Sequence, residues 1–250
     1  MTMTDIPLIF DIKRTSTVDG PGVRTAVFLK GCNLNCFWCH NPEGKRAAEE
    51  YAYFEEKCLR CGACAAEGMT ADAQVAHCPA QARKRYGRRY TEKELMDILL
   101  ADRDYYLATG GGVTFSGGEC MLYPAFLARM SQRCHAQGIS VAIDTAGDVP
   151  YAHFEQVLPY VELFLYDIKC LDDDIHRRGT GVSNVRILNN LERLRMTGKK
   201  ILIRTPEIPN FNAGDEVERI RRYCAERGLA HEVLAYHRFG EDKAKALRSR

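Results

Sequence analysis

Three cysteines lie close together near the N-terminus, in the stretch GCNLNCFWCHNPEG. Cys32, Cys36 and Cys39 have C-x3-C-x2-C spacing, and the only tryptophan of the chain, Trp38, precedes the third. A structural zinc site takes four ligands, and His40 could supply the fourth, but it is adjacent to Cys39 whereas zinc ligands are usually further apart in sequence. The compact loop instead suits three corners of a [4Fe–4S] cluster, whose fourth iron would be open to a small molecule.

A second group of cysteines follows, and it has four members: Cys58, Cys61, Cys64 and Cys78. The first three have C-x2-C-x2-C spacing and Cys78 precedes a proline, a pattern that resembles the bacterial ferredoxin motif. We therefore expect one auxiliary [4Fe–4S] cluster with Cys78 as its fourth ligand. A structural zinc site with four thiolates is the main alternative.

Six apolar runs of strand length alternate with helical patterns and predict the elements that position these cysteines. The first run, GVRTAVFLKGC, leads directly into the first cysteine group. The other five strands are predicted in the runs GGVTFSGGE, ISVAIDTAG, ELFLYDIK, KKILIRTPEIP and HEVLAYHRFG. Between them, apolar residues at helical spacing predict helices at 90–107, 123–137, 151–160, 184–197 and 215–227.

This alternation predicts an α/β fold with a parallel sheet and right-handed crossovers. Six units are fewer than the eight of a closed barrel, so we expect a partial (β/α)6 barrel formed by residues 1–44 and 90–250. Residues 45–89 interrupt the rhythm, since they are rich in alanine, cysteine and charge and poor in long apolar runs. We predict that they form a small inserted iron–sulfur cluster domain.

Polar or metal-binding residues follow every predicted strand, and the active sites of parallel α/β folds gather at the carboxyl ends of the strands. Each of these residues taken alone could be a turn, a helix cap or a solvated charge. Their shared location opposite the cysteines favours a functional site instead. In chain order they are Cys32, Cys36 and Cys39, then Gly117, Gly118 and Glu119, then Asp144 and Thr145, then Asp167 and Lys169, then Arg204, and last His237.

The composition limits the class of protein. The chain has 250 residues, 46% of them hydrophobic, and a net charge of +2, which is too small to indicate nucleic acid as the main partner. No apolar run has the length of a membrane span, and the N-terminus lacks the apolar segment of a signal peptide. Seven of the eleven cysteines fall in two clusters, which indicates metal or redox chemistry in a reducing compartment. We expect a cytoplasmic monomer that binds neither nucleic acid nor a membrane.

Several motifs together resemble the radical SAM superfamily and, within it, the activating enzymes of glycyl radical enzymes. The cysteine spacing with an aromatic residue before the third cysteine resembles the superfamily. The runs DGPGVR, CHNPE, GGGVTFSGGE, GTGVSN and YHRFG resemble the activating enzymes. The resemblance extends over residues 12–243. Without the neighbouring cysteines, DGPG would read as a plain turn.

The resemblance implies a reaction. S-adenosylmethionine (SAM) would bind the open iron through its amino and carboxylate groups, and one electron from the cluster would cleave it to methionine and a 5′-deoxyadenosyl radical. That radical would take a hydrogen atom from a glycine of the partner, a glycyl radical enzyme. Reduced flavodoxin or ferredoxin would supply the electron.

The resemblance also implies roles for individual residues. Gly117, Gly118 and Glu119 would hold the methionine amino group, and Trp38 and His40 would lie beside the adenine. The full set of implied SAM contacts is Trp38, His40, Gly117, Gly118, Glu119, Asp144, Asp167, Lys169, Arg204 and His237. The implied monovalent cation site is Asp144, Thr145 and Asp167. The implied partner-binding loop is Asp19, Gly20, Pro21 and Gly22.

Two other functions are open at this point. The first is a radical SAM enzyme that acts on a small molecule, which the runs DGPG and CHNPE argue against. The second is an electron-transfer iron–sulfur or zinc module, which would not bind SAM. If the chain is an activating enzyme, its candidate partners include pyruvate formate-lyase-like enzymes and the dehydratases or lyases of diols, choline and hydroxyproline.

Overall fold

The computed structural model describes residues 6–248, and this part of the chain forms nine strands in two sheets. Seven strands form one sheet in the order β1-β2-β5-β6-β7-β8-β9, and β3 and β4 form a separate pair. The strands are β1 (Ile9–Ser16), β2 (Arg24–Leu29), β3 (Glu50–Tyr53), β4 (Arg83–Tyr86), β5 (Gly112–Gly117), β6 (Ser140–Thr145), β7 (Leu163–Asp167), β8 (Lys200–Glu207) and β9 (Ala230–Ala235).

Nine α-helices accompany these strands within the described residues. They are α1 (Ala71–Ala76), α2 (Glu92–Leu100), α3 (Arg103–Thr109), α4 (Pro124–Ala136), α5 (Tyr151–Val157), α6 (Asp173–Thr180), α7 (Val185–Arg195), α8 (Asp215–Glu226) and α9 (Phe239–Arg248). None of the helices between residues 6 and 248 combines the length and the apolar content that crossing a bilayer requires.

The predicted partial barrel is confirmed. The six predicted strands are β2 and β5 to β9, and each pairs in parallel with the next. The sheet does not close, because β9 and β1 are its two edges. The edge strand β1, which pairs antiparallel with β2, was not predicted. Its charged exposed face weakens the apolar alternation by which a strand is recognised.

Two other predicted elements need correction, and helix α6 has to be added. The predicted helix at 90–107 is two helices, because the chain turns at Asp102 to bury a carboxylate that accepts hydrogen bonds from Arg14 and Thr25. The last strand ends at Ala235, so His237 lies in a loop before α9. Helix α6 was not predicted, since it is short and highly charged; the Asp172 side chain caps it by accepting a bond from the amide of Ile175.

The two faces of the large sheet have different chemistry. Alternate residues of the strands, such as Val27, Phe115 and Ile143, belong to the main hydrophobic core together with side chains of α2 to α5, α7 and α8. The intervening residues point into the open barrel and include Ser116 and Asp144, which line a cavity there. The helices therefore cover one face of the sheet, and the other face, which is polar, lines the cavity inside the open barrel.

Residues 45–89 contain β3, β4 and α1, and a small apolar cluster joins them to both ends of the chain. Phe54 and Tyr86 of this segment pack with Phe10 of β1 and Ala246 of α9. The segment therefore has its own antiparallel pair and lies against the barrel. That it is an independent iron–sulfur domain stays a prediction.

Candidate functional site

A cavity of about 690 Å³ opens at the carboxyl ends of the parallel strands. It is lined by the three cysteines of the first group and by every predicted SAM contact except Glu119. Residues from five strand ends and from two loops thus meet in one place. The lining residues that the sequence predicted are Cys32, Cys36, Cys39, Trp38, His40, Gly117, Gly118, Asp144, Thr145, Asp167, Lys169, Arg204, His237 and Asp19.

The loop that carries the three cysteines, residues 31–45, is held by backbone hydrogen bonds from two sides. The amides of Asn35 and Phe37 donate to the carbonyl oxygens of Thr180 and Gly179, at 2.7 and 3.2 Å. These two carbonyls lie at the C-terminal end of α6, where the helix has no partner of its own for them. The run GTGVSN, singled out in the sequence, therefore supports the cysteine loop.

The cysteine thiols are shielded from water, and burial is the main cause of their raised pKa values. The pKa of Cys32 is raised to about 12 and that of Cys36 to about 11, and the neighbouring cysteines add to both increases. Free thiols here would stay protonated, whereas bound iron would displace their protons because the thiolate is the metal ligand. Three thiols on one cavity wall fit the three protein corners of an open [4Fe–4S] cluster.

Two aromatic pairs flank the third cysteine. Trp38 packs against Phe211, with 4.2 Å between ring centroids, and His40 stacks on His237 at 4.0 Å. The pKa of His40 is lowered to about 4, mainly by burial and in addition by the charges of His237 and Lys169, so the ring is neutral at pH 7. Its Nε2 atom is buried without a hydrogen-bond partner in the described part of the chain. Such an atom fits a cavity that receives a polar ligand.

Glycines let the end of β5 approach the cysteine loop closely. A Cβ at Gly118 would overlap the carbonyl oxygen of Gly31, and one at Gly117 would overlap backbone atoms of Leu29. Gly117 has φ of +127°, a conformation that favours glycine. The amide of Glu119 donates to the carbonyl of Gly31 at 2.7 Å, which fixes the strand end to the loop.

Glu119 itself is buried and does not line the cavity. Its carboxylate accepts hydrogen bonds from Thr145 Oγ1 at 2.7 Å, from the amide of Ala146 at 2.9 Å and from the amide of Met121 at 3.0 Å. Burial raises its pKa to about 7. In this structure Glu119 braces the end of β6, and its predicted contact with the methionine amino group stays a prediction.

Two carboxylates and two cations meet in the floor of the cavity. Lys169 Nζ lies 2.5 Å from Asp167 Oδ2, and Arg204 Nη1 lies 3.5 Å from Asp144 Oδ2. Burial raises the pKa of Asp144 to about 6; Arg204 opposes this shift and Asp167 adds to it. Asp144, Thr145 and Asp167 lie on adjacent strand ends, so the proposed cation ligands are brought together, although Thr145 already donates to Glu119.

The loop DGPG begins at the edge of this cavity and extends away from it. Asp19 lines the cavity, whereas Gly20 and Pro21 line a neighbouring groove of about 1,000 Å³. The groove and the cavity share Arg204 and Leu234, so they are continuous. A Cβ at Gly22, where φ is +71°, would lie 2.5 Å from the amide nitrogen of Gly111, so the turn requires glycine.

The second cysteine group lies outside the cavity. Cys61 is exposed, and Cys58, Cys64 and Cys78 are partly exposed. A hydrogen bond with Tyr53 is the main cause of the lowered pKa of Cys58. Within residues 6–248, no three Cys, His, Asp or Glu side chains are grouped around the position of a single ion. The assignment of these four cysteines to an auxiliary cluster stays a prediction.

The cavity-lining residues that the sequence reasoning missed include Lys13, Lys45, Phe239 and Lys243. Lys45 directly follows CHNPEG, so its position was a usable signal. Lys13 lies on the unpredicted strand β1, and the other two belong to α9. Lys243 Nζ lies 2.6 Å from Glu43 Oε1 and 3.3 Å from the carbonyl oxygen of His40, so α9 holds the cysteine loop from a third side.

Comparison with known proteins gives consistent matches. Residues 26–224 match the radical SAM superfamily. The chain is 39% identical to the isethionate sulfite-lyase activating enzyme of Oleidesulfovibrio alaskensis, over 94% of this chain and 85% of that protein. It is 36% identical to the trans-4-hydroxy-L-proline dehydratase activating enzyme of Clostridioides difficile, over 95% and 86%. The structure of Streptococcus suis SuiB bound to its precursor peptide SuiA has a similar fold, with a TM-score of 0.56 and 16% identity over 88% of this chain and 40% of SuiB.

Proposed function

This chain belongs to the radical SAM superfamily and, within it, to the activating enzymes of glycyl radical enzymes, and we propose that it makes a glycyl radical in a partner enzyme. The observation that carries the proposal is the single cavity that unites the three cysteines with nine of the ten predicted SAM contacts. A bound [4Fe–4S] cluster would supply the electron that cleaves SAM to methionine and a 5′-deoxyadenosyl radical.

The chain's own residues would position SAM. Cys32, Cys36 and Cys39 would hold the cluster, and the absence of a fourth thiol in this loop leaves one iron for the amino acid part of SAM. The ammonium of Lys169, held by Asp167, suits a carboxylate, and the backbone at Gly117 and Gly118 can approach the ligand closely. The guanidinium of Arg204 balances the negative charge of Asp144 in the floor of the cavity.

The stacked rings of His40 and His237 would lie beside the adenine. His40 is neutral at pH 7, so its ring adds no positive charge near the sulfonium. Its Nε2, which has no hydrogen-bond partner in the described part of the chain, can form one hydrogen bond with the base. A monovalent cation at Asp144, Thr145 and Asp167 remains part of the proposal. So do an auxiliary cluster at Cys58, Cys61, Cys64 and Cys78 and an electron donor of the flavodoxin or ferredoxin type.

The groove beside DGPG gives the partner's glycine a route to the cavity. Its walls include the apolar side chains of Val18, Leu163 and Leu234. Arg24, which is 1% exposed, donates to the carbonyl oxygen of Pro21 at 3.4 Å and to Thr114 Oγ1 at 2.7 Å, and Thr114 Oγ1 donates to the carbonyl oxygen of Asp19 at 2.7 Å. A buried guanidinium with such bonds makes the loop a rigid rim, as a docking site requires.

The test is an anaerobic assay of the reconstituted protein with SAM and dithionite, with and without a glycyl radical enzyme such as isethionate sulfite-lyase. We expect 5′-deoxyadenosine in both cases and a glycyl radical EPR signal only with the partner. A partner whose radical-bearing glycine is replaced by alanine, and a Cys36→Ala variant of this chain, are the controls. No 5′-deoxyadenosine would exclude radical SAM chemistry, and turnover of a small molecule without a protein radical would favour the alternative enzyme class.

A further inference from the structure

Lys45 makes contacts at both ends of the segment that carries the first two cysteines. Its Nζ donates to Asn35 Oδ1 at 2.8 Å and to the carbonyl oxygen of Cys36 at 3.0 Å. Its own carbonyl oxygen accepts from the amide of Cys32 at 3.0 Å. One residue that follows the motif thus fixes the backbone at two of its three cysteines.

The charge of Lys45 is not balanced by a nearby carboxylate. Two other lysines of the cavity form ion pairs, Lys169 with Asp167 and Lys243 with Glu43. Among residues 6–248, no carboxylate lies within ion-pair distance of Lys45 Nζ, and both of its hydrogen-bond acceptors are neutral oxygens. The structure therefore places an uncompensated positive charge in the wall of the cavity.

This charge lies beside the cysteine ligands, since Lys45 Nζ is 3.0 Å from the carbonyl oxygen of Cys36. Lys169 lines the same cavity, but its charge is balanced by the carboxylate of Asp167. Lys13, the remaining lysine of the cavity, forms no hydrogen bond with the cysteine loop in the described part of the chain.

We propose that Lys45 is a positioning residue for the cluster assigned above: its hydrogen bonds hold the cysteine loop closed, and its charge makes the cluster easier to reduce. The inference rests on the proposed function only in requiring a cluster at Cys32, Cys36 and Cys39. A reduced cluster carries one more negative charge than an oxidised one, so a fixed positive charge beside its ligands stabilises the reduced form. Groups of this kind around a metal's ligands tune its affinity and potential.

Three substitutions separate the two roles. Lys45→Arg keeps the charge and the donors, Lys45→Gln keeps a donor without the charge, and Lys45→Met removes both. Lys93→Gln is the matched control, because Lys93 is an exposed lysine on α2 and its substitution removes the same charge far from the loop. Each reconstituted full-length protein is measured in two ways. The first is the iron retained after gel filtration. The second is the midpoint potential from an EPR-monitored redox titration, followed on the signal that changes when SAM is added.

We expect Lys45→Gln to retain its iron and to have a more negative midpoint potential than the wild type. Lys45→Met should show the same negative shift and should also lose iron, whereas Lys45→Arg and Lys93→Gln should match the wild type in both measurements. An unchanged potential in Lys45→Gln would overturn the electrostatic role. Unchanged iron retention in Lys45→Met would overturn the positioning role. Iron retention and midpoint potential require only the cluster, so they test the role of Lys45 even if no partner enzyme is activated.

Discussion

At the scale of single residues, the helix that supports the cysteine loop contains a buried histidine. His176, in α6, is 1% exposed, and its Nδ1 lies 2.8 Å from the carbonyl oxygen of Val182. Burial lowers its pKa, and Lys169 lowers it further, whereas the bond to Val182 and the carboxylates of Asp173 and Asp148 oppose the shift. A protonated ring here would lack water, so the fold favours the neutral form.

This histidine gives a pH-dependent contribution to stability. Because its pKa is lower in the folded state, the unfolded chain binds more protons below the usual histidine value of about 6.5, and the free energy of unfolding decreases as the pH falls through that range. The contribution is complete above about pH 6.5 and is lost on acidification. We expect His176→Gln to lose less stability than the wild type between pH 7.5 and 5.5, measured by urea unfolding.

The control for this measurement is His77→Gln, which replaces an exposed histidine of residues 45–89. It should keep the pH dependence of the wild type. An equal loss of stability in His176→Gln and in the wild type would show that this ring does not carry the effect.

At the scale of elements, α6 determines the environment of Trp38. Gly179, at the end of the helix, packs against the ring of Phe211, and a Cβ there would overlap that ring. Phe211 in turn packs on Trp38. The helix end therefore supports the cysteine loop in two ways, through the carbonyl oxygens described above and through this aromatic contact.

Gly179→Ala should displace Phe211 and expose Trp38. We expect a red-shifted emission of this only tryptophan and a loss of about 1–3 kcal/mol in the free energy of unfolding, the usual cost of overpacking a core. Gly228→Ala is the matched control, because its Cβ would meet no atom within 4 Å. At φ of +64° that change should cost about 1 kcal/mol without altering the emission. An unshifted spectrum in Gly179→Ala would contradict the packing argument.

The elements also show what the sequence could predict. The six parallel strands were predictable because each is a continuous apolar run, and α2 because Thr91 and Glu94 form the capping box that the structure contains. Most of the site residues in the cavity were predictable from the strand ends, because the carboxyl ends of parallel strands meet at one edge of the sheet. Lys45 could have been found from its position directly after CHNPEG, whereas Lys243 could not, because its role depends on contacts across about 200 residues. The burial of the Glu119 carboxylate likewise could not be predicted from the run GGE, because it depends on the hydrogen bond from Thr145 at the end of β6.

At the scale of the whole molecule, the two cysteine groups lie in different parts of the structure. The first group lines the cavity among apolar residues such as Leu34 and Ile208, and the second lies in residues 45–89 near the surface. The separation matches the proposed division of labour, in which the buried group with three thiols does the chemistry. The exposed group of four would transfer electrons or support structure.

Iron analysis can test this division. The reconstituted protein should contain about eight irons if both clusters are cubanes. Replacing Cys32, Cys36 and Cys39 together by alanine should leave about four irons and abolish SAM cleavage. Replacing the four cysteines of the second group by alanine should also leave about four, while the EPR response to SAM persists. Four irons in the wild type, or zinc in the second group, would show that the auxiliary cluster is absent.

The placement of the supports around residues 31–45 has a consequence for biosynthesis. These residues are synthesised before their partners at residues 179–180 and at Gly240 and Lys243. Until those partners have been made, the three thiols lack the contacts that later shield them. We therefore expect the cluster to be assembled after these partners have folded against the loop, so that iron–sulfur delivery recognises a folded barrel and not a nascent peptide.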